Sequence, residues 1–124
     1  MALTLDTHVL VWIATGDARL SEPARAAIES PDQALRVSAV IAWEYSDLEQ
    51  RGRFPGSGPL PGLQAQLGFS IDELPADLFK LAATLPDHHR DPVDRMFLAH
   101  AMMLGSTPVT ADRVLSRYPI DILW

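Results

Sequence analysis

The sequence predicts an α/β fold in which helices cover both faces of a parallel β-sheet. Short apolar segments alternate along the chain with longer segments of helical periodicity, which is typical of such sheets. Acidic residues stand just after two of the apolar segments, at Asp6 and Asp112. Hydrophobic residues make up 48% of the 124 residues, which is enough for one core, so we expect residues 1–124 to form a single domain.

The N-terminal half is expected to contain two strands and three helices. A buried strand over residues 3–5 ends at Asp6, and a helix begins at Thr7 and is closed by Gly16-Asp17. Ser21 suits the N-cap of a second helix, which ends near residue 30. Residues 34–37 form the second strand, and Ser38 caps a third helix that runs to about residue 51.

The C-terminal half begins with a segment rich in glycine and proline, residues 52–62, which we expect to be a surface loop or a flap near a site. Next come a short strand over residues 69–71 and a helix over residues 75–85, with Leu78 and Phe79 among its inward residues. The remaining elements are a helix that ends at Gly105 and strands over residues 107–110 and 120–123.

Charge and composition restrict the function classes. The net charge of −6 argues against a simple electrostatic nucleic-acid binder, although a divalent ion could supply positive charge to a nuclease. The chain has no cysteine, so oxygen or imidazole must hold any metal, and we expect a cytoplasmic protein. No apolar run approaches the length of a membrane span and no signal segment leads the chain.

Two acidic residues lie among apolar neighbours, where a charge is costly. Asp6 stands between residues 3–5 and the apolar start of the next helix, and Glu44 shares a helix face with three aliphatic residues. Asp6 would lie at the carboxyl end of a strand, where parallel sheets bind ligands, or it would act as an N-cap. Glu44 would belong to a site or pair with an arginine such as Arg51 or Arg53, and we favour the site.

The segment over residues 86–95 is the most polar in the chain. Asp91 precedes a proline and is expected to cap the helix that follows. Asp94 lies one turn further along and shares a face with apolar residues, so we assign it to a site. Asp112 repeats the position of Asp6 after a short strand, with an N-cap as its alternative role.

Four of these acids come from distant segments and are expected to converge, namely Asp6, Glu44, Asp94 and Asp112. Carboxylates that share a site cannot all remain ionised unless a cation is present. Mg²⁺ is a hard cation that binds carboxylates, keeps several waters and also binds substrate phosphate. The sequence therefore predicts a site for metal-assisted hydrolysis of phosphodiester bonds.

Four segments carry a resemblance to a known family: LDTHVLVW at 5–12, SAVIAWEYS at 38–46, HHRDPVDRMFLAHA at 88–101 and TPVTADRVLSRY at 107–118. They are similar to PIN-domain proteins, most of all to VapC-type toxins of type II toxin–antitoxin systems, and the likeness spans the chain. The resemblance implies an α/β/α sandwich with strand order 3-2-1-4-5 and endoribonuclease activity that depends on Mg²⁺ or Mn²⁺. It also implies an RNA substrate, a cognate antitoxin protein as inhibitor and a homodimer.

The resemblance assigns roles to individual residues. Asp6 and Asp94 match the principal metal ligands, and Glu44 and Asp112 match the two further acids of the site. The accessory residues that it implies are Asp91, Thr7 and Ser38. Cleavage is expected to leave a 5′ phosphate, and the arginines that would steer RNA phosphates are Arg90, Arg95 and Arg113.

Two other functions are compatible with parts of the pattern. A non-catalytic PIN-like protein would mainly bind an antitoxin, and DNA through it, but the complete set of acids argues against this role. A phosphomonoesterase or receiver-like pocket needs a second acid beside Asp6 and a distal lysine, which Thr7, His8 and the single Lys80 do not supply. The pair His88 and His89 lacks a further imidazole at metal-ligand spacing and is expected to contact phosphate or to lie in a loop.

Overall fold

The structure is a computed structural model that describes residues 1–124. Its strands are β1 (Ala2–Leu5), β2 (Ala34–Ser38), β3 (Ser70–Asp72) and β4 (Thr107–Val109). Its α-helices are α1 (Thr7–Thr15), α2 (Glu22–Glu29), α3 (Ala39–Gln50), α4 (Leu60–Leu67), α5 (Leu78–Thr84) and α6 (Pro92–Leu104). A short 3₁₀-helix spans Arg113–Arg117. The four strands pair in parallel in the order β3-β2-β1-β4, and the helices flank the sheet, which confirms the predicted fold class.

Strand β1 lies inside the sheet because its side chains are suited to burial on both faces. Leu3, Thr4 and Leu5 are at most 2% exposed, and β1 pairs with β2 on one side and with β4 on the other. The hydroxyl of Thr4 forms a hydrogen bond with that of Ser106, so no polar atom of this side chain is left without a partner. The strand leads directly into α1 through Asp6, which places this acid at the carboxyl edge of the sheet.

The helix ends follow the predicted capping residues. The side chains of Ser21, Ser38 and Asp91 accept backbone N–H groups at the starts of α2, α3 and α6. Gly16 and Gly105 end α1 and α6 in the left-handed conformation, with a φ of 64° at each residue, which favours glycine. The bounds of these four helices therefore follow largely from local sequence.

Helices α3 and α6 contribute large side chains to the core, among them the fully buried Tyr45 and Phe97. The hydroxyl of Tyr45 donates a hydrogen bond of 2.7 Å to the carbonyl of Gly58. This bond fastens the glycine-rich segment that follows α3 to the core. The ring of Phe54 packs 5.6 Å from that of Tyr45, so the segment is also held by aromatic contact.

The prediction of a strand over residues 120–123 is wrong. In this segment only Leu123 pairs with the sheet, through a single bridge to Val109. The N–H of Leu123 donates to the carbonyl of Pro108 at 2.9 Å, and the N–H of Thr110 donates to the carbonyl of Leu123 at 3.4 Å. The next bond of a parallel ladder would require an N–H at residue 108 to donate to the carbonyl of residue 121. Proline lacks that N–H, so the ladder stops after one bridge.

Two further expectations are wrong. Residues 60–62 belong to α4 rather than to a loop, because Pro61 lies in the first helical turn, where its missing N–H costs nothing. Phe79 is 67% exposed instead of facing inward, although its neighbour Leu78 is buried. Helix α5 also begins at Leu78, three residues later than expected.

None of the helices has the length and apolar character needed to cross a bilayer.

Candidate functional site

An acidic cleft of about 570 Å³ lies at the carboxyl end of β1. Five carboxylates line it, contributed by Asp6, Glu44, Asp91, Asp94 and Asp112. The four acids that the sequence assigns to a site therefore lie together, although they are up to 106 residues apart in the sequence. Asp91 is the fifth acid of the cleft.

Asp6 serves as a helix cap and as part of the cleft at the same time. One carboxylate oxygen accepts the backbone N–H of Thr7 at 2.7 Å, and the other accepts the hydroxyl of Thr110 at 2.6 Å. The residue is only 8% exposed. Burial raises the pKa of Asp6, and the two hydrogen bonds offset part of that rise because they stabilise the charged form.

Glu44 reaches the cleft from the third helix, and its partner is a hydroxyl rather than an arginine. The hydroxyl of Thr7 donates to Oε1 of Glu44 at 2.5 Å, so Thr7 links Glu44 to Asp6. The alternative pairing with Arg51 is wrong, since Arg51 forms its ion pair with Asp47 at 3.1 Å. Burial raises the pKa of Glu44, and the nearby charge of Asp6 adds to the rise.

Asp94 has the most strongly perturbed carboxyl group of the cleft. Burial is the largest cause, and the charges of Asp6 and Asp91 contribute in the same direction. Together these effects raise the pKa of Asp94 to about 7. Asp91 itself caps α6 as predicted, because its side chain accepts the N–H of Val93 at 2.9 Å.

Thr110 connects two acids of the site, a role that the sequence reading missed. Its hydroxyl donates to Asp6 and accepts the backbone N–H of Asp112 at 3.1 Å. Asp112 in turn caps the 3₁₀-helix by accepting the N–H of Val114 at 2.9 Å. The available signal was a polar residue at the end of an apolar strand, two positions before an acid.

His89 lies in the loop before α6, which is one of the two alternatives from the sequence, but its contacts with the acids of the cleft were not predicted. Its Nδ1 accepts the backbone N–H of Asp91 at 3.0 Å, so in the neutral ring the proton must be on Nε2. This Nε2 lies 2.7 Å from Oδ2 of Asp112 and 3.1 Å from Oδ2 of Asp94. His89 is therefore arranged to donate to the two carboxylates, which orients them from the side of the cleft.

No arginine or lysine forms an ion pair with any of the five carboxylates of the cleft. The ion pairs of the arginines all involve acids outside the cleft, for example Arg19 with Asp17 and Arg36 with Asp72. Only the imidazole of His89 approaches two of the cleft acids within ion-pair distance. Acids that are buried or half-buried, pair with no lysine or arginine and offer oxygen ligands fit a hard divalent cation.

Ser38 and Arg95, which the sequence assigns to the site or to RNA steering, make structural contacts within the protein instead. Ser38 caps α3, and its hydroxyl lies 2.7 Å from Nδ1 of the buried His100, so it does not line the cleft. The guanidinium of Arg95 donates to three backbone carbonyls near the end of α5, those of Ala82, Leu85 and Pro86. These contacts occupy the guanidinium within the protein, which argues against the expected role of Arg95 in steering RNA.

The fold and the cleft together define an α/β protein with an acidic site of the kind that binds divalent cations. A family model described as the PIN domain matches residues 3–121. Ribonuclease VapC22 of Mycobacterium tuberculosis is 32% identical to the chain over 114 residues, which cover 90% of this chain and 87% of that protein. The chain therefore belongs to the PIN-domain family and resembles its VapC-type members. This confirms the resemblance found in the sequence and identifies the protein as a nuclease.

Solved structures show the same fold at low sequence identity. VapBC2 from Rickettsia felis, bound to a DNA fragment from its promoter, matches with a TM-score of 0.73 and 16% identity over 98% of this chain and 96% of that one. VapC20 from Mycobacterium tuberculosis, a toxin that cleaves the sarcin–ricin loop, matches with a TM-score of 0.65 and 19% identity over 93% of each chain. VapBC-1 from nontypeable Haemophilus influenzae matches with a TM-score of 0.61 and 16% identity, covering 94% and 91% of the two chains.

Replacing Asp94 with asparagine is expected to stabilise the metal-free protein at neutral and alkaline pH. The pKa of Asp94 is raised from its usual 3.8 to about 7, so between these values the folded protein binds more protons than the unfolded chain. Stability therefore falls as the pH rises through this range, and the loss is complete above it. Asparagine removes the charge, so thermal unfolding in EDTA at about pH 8 should occur at a higher temperature in Asp94→Asn than in the wild type.

The matched control is Asp87→Asn, because the side chain of Asp87 is 88% exposed and lies outside the cleft. This variant should follow the wild-type dependence of unfolding temperature on pH. An Asp94→Asn protein that is less stable than the wild type at about pH 8 would contradict the expectation that repulsion dominates at this position.

Proposed function

We propose that this protein is a Mg²⁺-dependent endoribonuclease, with Mn²⁺ as a substitute ion, and the toxin of a toxin–antitoxin pair. The observation that carries this proposal is the convergence of Asp6, Glu44, Asp94 and Asp112 in one cleft without a lysine or arginine partner. Membership in the PIN-domain family and the likeness to a ribonuclease support the same reaction.

Each residue of the cleft has a distinct role in this proposal. Asp6 and Asp94 would hold the ion, directly or through its waters, and Glu44 and Asp112 would orient the attacking water. When bound, the ion polarises the phosphate and lowers the pKa of a bound water. The hydroxyl of Thr7 keeps Glu44 in position, and the backbone and hydroxyl bonds of Asp6 fix both of its oxygens. The water would lose a proton and attack phosphorus, and the 3′ oxygen would leave and take up a proton, so that a 5′ phosphate remains.

The surface near the cleft also contains free cationic groups that could attract RNA. Arg90 and Arg113 are exposed, and neither side chain forms an ion pair. Phosphates of RNA would approach a negative cleft only where such groups and the divalent ion reduce the repulsion. We therefore assign the steering role to Arg90 and Arg113 and not to Arg95.

The proposed protein partner is a cognate antitoxin that inhibits the enzyme, and the proposed assembly is a homodimer. Two of the solved structures that share the fold are VapBC complexes, one of them bound to promoter DNA. The resemblance to VapC-type toxins supports the same partner for this chain.

Cleavage of RNA by the purified protein should require a divalent ion and both principal acids. Asp6→Asn and Asp94→Asn are each expected to lower the cleavage rate at least roughly 100-fold, because the ion supplies several kcal/mol of transition-state stabilisation. The measurement is the rate of cleavage of labelled RNA with Mg²⁺ or with EDTA. The Asp87→Asn protein, which is altered outside the cleft, should cleave at the wild-type rate. Cleavage in EDTA that survives both substitutions would reject the proposal.

Expression in growing cells separates the toxin from a non-catalytic binding protein. The Asp6→Asn protein should no longer arrest growth if RNA cleavage causes the arrest, whereas Asp87→Asn should arrest it as the wild type does. Growth arrest by Asp6→Asn at the wild-type level would favour a protein that acts by binding a partner.

His89 should influence the affinity for the ion through the donor at Nε2. Glutamine can place an N–H near the position of Nε2, whereas asparagine can replace only the acceptor near Nδ1, which binds the N–H of Asp91. We expect His89→Asn to weaken Mn²⁺ binding about 10- to 100-fold, as is usual for groups that orient metal ligands, and His89→Gln to weaken it less. Titration calorimetry with Mn²⁺ measures both values, and a larger loss in the glutamine variant would contradict this role.

A further inference from the structure

A group of aromatic side chains borders the acidic cleft on the side of α1, and we call it the aromatic wall. It consists of His8, Trp12, Phe54 and Trp124. The ring of His8 lies 5.9 Å from that of Trp12 and 6.0 Å from that of Phe54, and Trp12 lies 5.6 Å from Trp124. His8 is exposed and Phe54 is half-buried, so this part of the wall offers ring surface to solvent.

The aromatic wall joins the acidic cleft to a second groove. His8, Trp12 and Arg19 line the acidic cleft, and the same three residues also line a groove of about 380 Å³ together with Phe54 and Arg53. His8 follows Asp6 by two residues at the start of α1, so the wall begins beside the proposed metal ligand. A chain that passes through the acidic cleft can therefore continue directly into the second groove.

The second groove differs from the acidic cleft in its charge. Arg19 is held by Asp17, to which its guanidinium donates at 2.7 Å, and it lies 5.2 Å from the ring centre of Trp12. The side chain of Arg53 is exposed and forms no hydrogen bond or ion pair within the protein. Asp17 also lines this groove and compensates the charge of Arg19, so the guanidinium of Arg53 is the groove's unpaired charge and is free to bind an anion.

We propose that the aromatic wall and Arg53 form a subsite for one unpaired nucleotide of the RNA, next to the phosphate that is cut. This inference depends on the proposed ribonuclease function. The base stacks on the exposed ring of His8 and contacts Phe54, whose ring plane is inclined by 75° to that of His8, and the phosphate that follows the base faces Arg53. Proteins that bind single-stranded RNA commonly combine aromatic stacking with cationic contacts to the backbone.

The subsite defines a class of substrate. A base within a duplex is stacked between its neighbours, so its face cannot contact a side chain until it is splayed out. The enzyme should therefore cut single-stranded or looped RNA in preference to duplex RNA. A protein segment is a less suitable occupant, because the groove is continuous with the acidic cleft and its free group is an arginine suited to phosphate.

Binding of a cleavable oligonucleotide tests the subsite. The wild type first identifies a short single-stranded oligoribonucleotide that it cuts and the position of the cut. Binding of this labelled RNA is then measured by fluorescence anisotropy. The Asp94→Asn protein is the parent of all the variants in this experiment, because it is expected not to cut the RNA. His8→Ala should weaken binding roughly 5- to 150-fold, the range for loss of one stacked base, whereas His8→Phe keeps a ring and should bind as tightly. Arg53→Gln should weaken binding and reduce its dependence on salt.

The matched controls distinguish stacking from general damage. Arg117→Gln alters an exposed arginine that lines neither cleft and should leave binding unchanged. An oligonucleotide that lacks the base beside the cut should bind to the parent protein as weakly as the intact oligonucleotide binds to the His8→Ala variant. Removing the base and the His8 ring together should cause no further loss of binding. Thermal unfolding of each variant verifies that the fold is intact.

The results distinguish failure of the subsite from failure of the proposed ribonuclease function. If the wild type cuts RNA with Mg²⁺ but His8→Ala and Arg53→Gln bind it as tightly as their parent, the subsite is refuted and the nuclease remains. If His8→Ala weakens only the binding of an antitoxin, the wall is a protein contact and the inference is overturned. If the wild type cuts no RNA under any condition, the proposed function and the subsite fall together.

Discussion

Repulsion among buried and half-buried carboxylates is the constraint on which this site depends. Burial raises the pKa of Asp6, Glu44 and Asp94, and for Asp94 the charge of Asp6 increases the effect. The contacts of these groups hold them in place without neutralising them, since Thr7 and Thr110 supply hydroxyl donors and no lysine or arginine forms an ion pair with them. Such a cluster is costly in a folded protein and is typical of sites whose function uses the charge.

The fold brings four of the five acids together through helix starts at one edge of the sheet, and Glu44 reaches them from the middle of α3. Asp6 caps α1 after β1, Asp91 caps α6 with Asp94 in its first turn, and Asp112 caps the 3₁₀-helix after β4. A helix start carries free N–H groups and a partial positive charge, which offsets part of the repulsion between the carboxylates. The capping role and the site role, which the sequence presents as alternatives for Asp6 and Asp112, are therefore compatible in one residue.

The sequence predicts those features that depend on local chemistry. Strand β1 and the N-caps follow from apolar runs and capping residues, and the acids of the site are recognisable because each is a charge among apolar neighbours in the chain. The missed features depend on contacts between distant residues: His89 approaches Asp112 across 23 positions, and the bridge to Leu123 is limited by Pro108. Helix α4 was missed for a different reason: its N-cap Pro59 and its residues Pro61 and Gly62 resemble loop composition, although proline is tolerated in a first turn.

Proton release on binding of Mg²⁺ tests the central claim that these acids form one site for a divalent ion. A cation must displace any proton held by its carboxylate ligands, and the pKa of Asp94 is about 7. Titration calorimetry in buffers of different ionisation enthalpy should therefore show release of about one proton at pH near 6 and almost none well above pH 8, with the pH dependence lost in Asp94→Asn. Binding that is identical in the wild type and in Asp94→Asn, or no binding by the wild type, would contradict the account.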